Sequence, residues 1–311
     1  MSRVQSVQVT RLASALGAEV RGVDLARIDA EGAREIERLL WQHQVLFFPE
    51  QPLTIDEHVA FGEHFGELQG HPHLTNPTSD HDKIFELAAS RGGIADEWHS
   101  DLSFLPEPSI YSILHMVRCP ELGGDTLWAN LYLAFEELSE PLRELCAGLT
   151  ALHNAEPHAR PEVMTVHPMV RVHPETGRKV LFVNEHFTRR IVELSRAESD
   201  VLLGHLARWV ASPRFTVRYH WSNDTIAMWD NRCTQHSVLN DFETERVIQR
   251  VTVMGDKPAG APPRWQPYVR IGGRSDTSRH DRLLRQYLRS QAPAPADRPA
   301  GPAGPARPED A

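Results

Sequence analysis

The tetrapeptide Trp98-His99-Ser100-Asp101 is the most informative stretch of this 311-residue chain. On an extended segment successive side chains alternate between two faces, so His99 and Asp101 lie on the same side. A distant imidazole, that of His236, can complete a set of two histidines and one carboxylate. Such a set occupies one face of an octahedron and suits a non-haem Fe(II) that also binds O₂ and a co-substrate. The pattern predicts an oxygenase, although an isolated His-x-Asp is more commonly a half-buried polar pair on a strand.

Two arginines follow His236 within the run Arg246-Val-Ile-Gln-Arg250-Val-Thr-Val-Met-Gly255. This run is apolar and β-branched enough to form a buried strand, where an unpaired charge is costly. Because Arg246 and Arg250 are four residues apart, we expect them to face the same side of the strand. They predict either an anionic ligand, such as the distal carboxylate of 2-oxoglutarate held by a planar guanidinium, or a pair of internal salt bridges.

Composition indicates an intracellular enzyme. The chain is 41% apolar, enough for a sizeable core, and its net charge of −9 argues against a general nucleic-acid binder. Its three cysteines, Cys119, Cys146 and Cys233, form no CxxC pair, so we expect reduced thiols in a cytosol. We see no signal peptide and no apolar run of transmembrane length, and we therefore expect a cytoplasmic protein with no membrane partner.

Strand-like and helix-like patterns alternate irregularly over residues 1–258. Helical spacing marks residues 30–44 and 131–149, and capping boxes predict helices that begin after Thr54 and Ser195. The short segment 153–167 contains Pro157 and Pro161 and indicates a reduced lid. Residues 259–311 are rich in Pro, Ala and Arg, and we expect roughly the last 20 of them to be disordered. We therefore expect one domain over residues 1–258, followed by a C-terminal extension.

Six motifs between residues 7 and 258 go beyond these patterns: Gly17-Ala-Glu-Val-Arg-Gly-Val-Asp24, Trp98-His-Ser-Asp101, Gly123-Gly-Asp-Thr-Leu-Trp128, Phe182-Val-Asn-Glu185, Trp229-Asp-Asn-Arg-Cys-Thr-Gln-His236 and Gly255-Asp-Lys-Pro258. Together they resemble the taurine dioxygenase (TauD/TfdA-type) family of Fe(II)- and 2-oxoglutarate-dependent oxygenases. The resemblance implies a mainly β fold with flanking helices, an α+β arrangement around a double-stranded β-helix (jelly-roll) core. It also implies dependence on Fe(II), 2-oxoglutarate and O₂.

The same resemblance implies roles for individual residues. His99, Asp101 and His236 are expected to bind iron, and Thr126 and Arg246 to hold the distal carboxylate of 2-oxoglutarate. His71 and Arg250 correspond to positions that bind the anionic end of the prime substrate, with Phe104 and Phe187 suited to an apolar wall. No catalytic residue beyond the iron ligands is expected.

Taurine itself is an unfavourable substrate for this pattern. The family's taurine-specific members bind the amine with a Tyr and an Asn, whereas the matching positions here hold Leu74 and Ala95. Neither side chain can hydrogen-bond an ammonium group, so that group would be left unpaired at a cost of roughly 1–3 kcal/mol. We therefore expect a larger, more apolar molecule with one anionic group.

Two enzyme functions fit such a pocket. From the sequence we favour oxidation of an aliphatic C–H in a specialised metabolite, such as a terpenoid acid of a pentalenolactone-type antibiotic pathway. The alternative is sulfur scavenging from alkyl sulfates or sulfonates. A non-catalytic jelly-roll binding protein is a third, more distant alternative. In each case the expected partner is a small anionic molecule, with no nucleic acid and no membrane, and the sequence allows a homo-oligomer.

Overall fold

A computed structural model of the chain describes residues 7–70, 81–89, 95–268 and 279–291. Within these ranges the strands are β1 Gln8–Arg11, β2 Ala18–Arg21, β3 Val45–Phe48, β4 Leu68–Gln69, β5 Phe85–Ala88, β6 Tyr111–Arg118, β7 Thr126–Asn130, β8 Thr150–Ala155, β9 Arg160–Pro168, β10 Val170–Val172, β11 Lys179–Leu181, β12 Thr188–Ile191, β13 Thr216–Tyr219, β14 Thr225–Asp230, β15 Thr234–Val238 and β16 Val247–Val253. The helices are α1 Ala30–His43, α2 Ile55–Glu63, α3 Leu131–Glu136, α4 Glu140–Ala147, α5 Arg196–Val210 and α6 Arg279–Gln291.

The largest sheet has the strand order β1-β2-β3-β14-β6-β16-β4, and β5 also pairs with β16. Strand β3, between β2 and β14, reads Val45-Leu46-Phe47-Phe48, and all four side chains are fully buried. Val45 and Phe47 pack on one face with Trp229, while Leu46 and Phe48 pack on the other with residues of α1 and α2. Both faces of the sheet are therefore covered, which explains why an unbroken apolar run forms a strand here.

A second sheet, with the order β13-β7-β15, lies across the inner face of the large one. Trp128 of β7 and Val217 of β13 share a buried cluster with Phe47 and Trp229 of the large sheet. An isolated antiparallel bridge between His99 and His236 joins the segment around Trp98 to β15. The two sheets, antiparallel apart from the parallel pair β2–β3, enclose one core and form the double-stranded β-helix that the resemblance implied.

Several predicted helices are confirmed with small changes. Thr54 with Glu57 and Ser195 with Glu198 form the capping boxes of α2 and α5. The helical pattern over residues 131–149 is divided into α3 and α4, with Pro141 in the first turn of α4. Proline is tolerated in a first turn because its missing N–H would have had no intrahelical partner there.

The described part of the C-terminal extension packs on the domain. The backbone N–H of Tyr268 donates to Val192 O at 2.9 Å. Leu284 of α6 is buried against Leu152 and Val192. Residues 292–311 lie outside the described ranges, so their disorder stays a prediction, as does the domain boundary at residue 258. In the described ranges no helix has both the length and the apolar character needed to cross a bilayer.

Candidate active site

The structure brings His99, Asp101 and His236 together as the sequence predicts. His99 N–H donates to His236 O at 3.1 Å and His236 N–H donates to His99 O at 2.8 Å, so a two-way backbone bridge aligns the two rings. The ring centroids are 4.1 Å apart, and Asp101 Oδ1 is 3.8 Å from His99 Nε2. One ligand atom from each residue falls within 4.8 Å of the other two, and all three residues are buried.

Both histidines of this triad are neutral. Burial lowers the pKa of His99 to about 4 and places the pKa of His236 well below its ordinary value. His99 Nδ1 lies 2.8 Å from Glu97 O, and a carbonyl accepts only from an N–H, so the proton sits on Nδ1. The lone pair of Nε2 therefore points towards Asp101, which is the form of imidazole that binds a metal.

Asp101 is ionised although it is buried. Burial alone would raise the pKa of this carboxyl, but the charge of Arg250 and the hydrogen bond from Ser112 lower it below its usual range. Oδ1 accepts a hydrogen bond from Arg250 Nη1 at 2.7 Å, and Oδ2 accepts one from Ser112 Oγ at 2.7 Å. Two neutral imidazoles and one carboxylate form a donor set that fits Fe(II).

Arg246 is a buried cation without a carboxylate partner among the described residues. Its Nε donates to Gly124 O at 3.2 Å and its Nη2 to Thr126 Oγ1 at 3.5 Å, and it forms no ion pair within these ranges. Burial lowers its pKa to about 10. An uncompensated buried guanidinium fits a ligand carboxylate, as the distal end of 2-oxoglutarate requires.

Trp221, which the sequence analysis did not single out, fixes the hydrogen bonding of Thr126. Trp221 Nε1 donates to Thr126 Oγ1 at 3.0 Å, and both groups are buried. Since the hydroxyl oxygen already accepts from Trp221 and Arg246, its own hydrogen remains free to donate to a carboxylate. The sequence gives no signal for Trp221, because this residue follows β13 and lies outside the six motifs.

Arg250 behaves differently from Arg246. It forms an ion pair with Asp101 and lies over the ring of Phe85, 5.6 Å from its centroid. For this arginine the internal salt bridge considered in the sequence analysis is present. Its Nε is buried and has no hydrogen-bond partner among the described residues, while its Nη1 donates to Asp101.

A cluster of apolar side chains, here called the apolar wall, lies next to His99. Phe187 lies 6.1 Å from the His99 ring and 5.0 Å from Phe104, measured between centroids. Phe104, Phe187, Leu102 and Ala155 form one buried cluster, in which Ala155 is the smallest member. His71 and Leu74 lie outside the described residues.

Comparison with known proteins decides the family. Residues 8–252 match the sequence profile described as "Taurine catabolism dioxygenase TauD, TfdA family". The chain belongs to this family. It is an Fe(II)- and 2-oxoglutarate-dependent dioxygenase, an oxidoreductase that also consumes O₂.

Three relatives and one solved structure illustrate the similarity. An alkylsulfatase of Acinetobacter baylyi is 37% identical over 83% of this chain and 88% of its own length. An α-ketoglutarate-dependent sulfate ester dioxygenase of Pseudomonas putida is 37% identical over 82% of this chain and 91% of its own. Pentalenolactone F synthase of Streptomyces avermitilis is 30% identical over 86% of this chain and 99% of its own length. The crystal structure of a taurine dioxygenase from Burkholderia xenovorans superposes with a TM-score of 0.75 at 39% identity, over 86% of this chain and 97% of that one.

A further group at the TauD/TfdA-type site was missed by the sequence analysis. His186 Nδ1 lies 2.6 Å from Glu97 Oε2, and its ring is 5.4 Å from His99 and 4.4 Å from Phe187. Glu97 thus contacts the site twice, through its carbonyl to His99 and through its carboxylate to His186. The only sequence signal for Glu97 is its position immediately before the Trp98–Asp101 motif.

A second cluster, His173 with Asp230 and Cys233, has metal-like spacing but the wrong chemistry. His173 Nδ1 accepts from the backbone N–H groups of Glu175 and Thr176, so its proton is on Nε2, which donates to Asp230 at 2.9 Å. Arg232 forms an ion pair with the same carboxylate of Asp230. Burial raises the pKa of the Cys233 thiol, which disfavours the thiolate that a metal would need. The cluster is therefore a structural hydrogen-bond network.

Proposed function

We propose that this dioxygenase oxidises the carbon that bears the sulfate group of a small alkyl sulfate. In this proposal His99, Asp101 and His236 bind Fe(II), and Thr126 and Arg246 bind the distal carboxylate of 2-oxoglutarate. Arg250, together with His71, binds the anionic end of the prime substrate, and its alkyl chain packs on Phe104 and Phe187.

The observation that carries the proposal is that two unlike groups, a guanidinium and an aromatic ring, lie beside different members of the triad. Arg250 contacts Asp101 at 2.7 Å, whereas the Phe187 ring lies 6.1 Å from His99. A molecule that reaches both surfaces needs an anion at one end and a hydrocarbon at the other. Apolar surface gains about 25 cal/mol per Å² on burial, so a longer alkyl chain binds more tightly until the wall is filled.

The metal and co-substrate supply oxidation of an aliphatic C–H, coupled to conversion of 2-oxoglutarate and O₂ into succinate and CO₂. The chain's own residues orient the reactants. Thr126 and Arg246 fix the co-substrate, and Arg250 fixes the substrate's charged end so that the adjacent carbon faces the triad. Phe104 and Phe187 exclude water from the reacting carbon. Hydroxylation of a carbon bearing a sulfate ester gives an unstable adduct that breaks down to an aldehyde and sulfate.

The comparisons support a sulfate ester over a carboxylic acid. The relatives named for alkyl sulfate and sulfate ester chemistry are 37% identical to this chain, whereas pentalenolactone F synthase is 30% identical. This reverses the order of preference that the sequence suggested. Tailoring of a terpenoid acid remains the second candidate, since Arg250 would bind a carboxylate as well as a sulfate.

A substrate panel tests the proposal. The Fe(II)-loaded enzyme would be given 2-oxoglutarate, O₂ and one of hexyl sulfate, hexanesulfonate, a terpenoid carboxylic acid or taurine, and succinate would be measured. We expect hexyl sulfate to stimulate succinate formation most and to release sulfate in equal amount. Turnover of the terpenoid acid without turnover of hexyl sulfate would favour the second candidate, and preference for taurine would contradict both.

A further inference from the structure

Asn231 lies beside Asp101, is buried, and uses every hydrogen-bonding position of its amide. Its Oδ1 accepts from the backbone N–H of Asp101 at 3.2 Å and from Trp229 Nε1 at 3.0 Å. Its Nδ2 donates to Ser109 Oγ at 3.2 Å and to Ser112 Oγ at 2.9 Å. Because two N–H groups point at the same amide atom, that atom is the oxygen, and the orientation of the amide is fixed.

This orientation determines where the two serine hydroxyl hydrogens go. Ser112 Oγ accepts from Asn231, so its single hydrogen donates to Asp101 Oδ2 at 2.7 Å. Ser109 Oγ also accepts from Asn231, and it donates to the carbonyl oxygen of Asp101 at 3.1 Å. Asn231 therefore sets the direction of three hydrogen bonds that end on Asp101.

We propose that Asn231 is a positioning residue that, through Ser112, gives the two carboxylate oxygens of Asp101 different tasks. Ser112 holds Oδ2, while Oδ1, 3.8 Å from His99 Nε2, is left to Arg250 and the metal. A carboxylate held at one oxygen cannot turn freely to present both oxygens to the metal. Groups that hold a metal ligand in this way tune both its orientation and the affinity of the site. The inference rests on the proposed Fe(II) triad.

Two variants remove the same hydrogen bond by different routes. Ser112→Ala deletes the donor to Asp101 Oδ2. Asn231→Asp is nearly isosteric but cannot donate, so the Ser112 hydroxyl turns towards residue 231 and leaves Asp101. Ser100→Ala is the matched control, because Ser100 is equally buried and adjacent to Asp101 but donates to Thr234 O at 2.7 Å. Fe(II) affinity of the metal-free full-length chain would be measured by anaerobic calorimetry, together with its melting temperature.

We expect Fe(II) affinity to fall by about 10–100-fold in Ser112→Ala and Asn231→Asp, but by less than about twofold in Ser100→Ala. The absorption band of the Fe(II)–2-oxoglutarate complex should shift in the first two variants and not in the control. A lowered melting temperature with Fe(II) affinity within about twofold of wild type would overturn the inference, because Asn231 would then have only a structural role. Fe(II) affinity within about twofold of wild type in Ser112→Ala overturns it equally, because that variant removes the bond without adding a charge.

His99→Ala distinguishes failure of this inference from failure of the proposed triad. If His99→Ala keeps its Fe(II) affinity, the triad itself is misassigned. If His99→Ala loses Fe(II) and Ser112→Ala does not, the triad holds and the role of Asn231 is refuted.

Discussion

Replacing Arg246 by methionine should weaken 2-oxoglutarate binding strongly while hardly changing the stability of the ligand-free protein. Arg246 is 6% exposed and has no ion-pair partner among the described residues. Burial lowers its pKa to about 10, and a lowering of that size corresponds to about 3 kcal/mol against the charged form. A bound carboxylate recovers much of this free energy, so the variant should lose about 100-fold in affinity for 2-oxoglutarate.

Stability should respond differently, because methionine fills a similar volume and removes an uncompensated charge. The gain is offset by the lost bond to Gly124 O, so the free energy of unfolding without ligand should change by less than about 2 kcal/mol. Affinity would be measured by anaerobic titration of the Fe(II)-loaded protein, following its charge-transfer band. Arg250→Ala is the control and should keep its 2-oxoglutarate affinity within about threefold of wild type at saturating Fe(II). A loss below about threefold in Arg246→Met, or equal losses in both variants, would refute this division of roles.

Three further predictions follow from individual residues. His99→Ala, Asp101→Ala and His236→Ala should each abolish turnover and weaken Fe(II) binding measured by calorimetry; near-normal turnover in any of them contradicts the triad. Ala155→Phe should overpack the apolar wall at a cost of about 1–3 kcal/mol in the free energy of unfolding. It should also lower kcat/KM for hexyl sulfate relative to ethyl sulfate, and an unchanged ratio would place the alkyl chain elsewhere. Burial lowers the pKa of His58 to about 3. Below about pH 6.5 this histidine is therefore protonated in the unfolded chain but stays neutral in the folded chain, so the free energy of unfolding falls as the pH drops from about 6.5 towards 3. His58→Gln keeps a donor for Ile113 O and should lose less stability than wild type between pH 7.5 and 5 in urea unfolding; equal losses would contradict this assignment.

The parts of the fold that the sequence predicts are those with local causes. The apolar run of β3 and the capping boxes of α2 and α5 depend on neighbouring residues, and each is present. The short segment 153–167 contains two prolines, from which the sequence predicts a reduced lid. It forms a hairpin in which Pro161 lies on β9, at the edge of the sheet β12-β8-β9. An edge strand tolerates proline because its outward N–H has no partner.

In the candidate site, too, the sequence predicts some features and not others. Residue types and spacing identified His99, Asp101, His236 and the two arginines, and the family motif identified Thr126. Sequence could not show that Arg250 already contacts Asp101, because the two residues are 149 positions apart and meet only through the closure of the sheets. Trp221 lies in none of the motifs. Glu97 adjoins Trp98 and Asn231 lies within the motif Trp229–His236, but these positions do not show which hydrogen bonds the two side chains form.

We propose that the protein couples 2-oxoglutarate decarboxylation at the triad to oxidation of an anionic alkyl substrate held between Arg250 and the Phe104–Phe187 wall. The most direct measurement is the stoichiometry of succinate, sulfate and aldehyde formed from hexyl sulfate by the Fe(II)-loaded enzyme under O₂. We predict equal amounts of the three products, dependent on 2-oxoglutarate and absent with hexanol, which lacks the anion. Succinate formation that hexyl sulfate does not stimulate, or that hexanol stimulates equally, would contradict the claim.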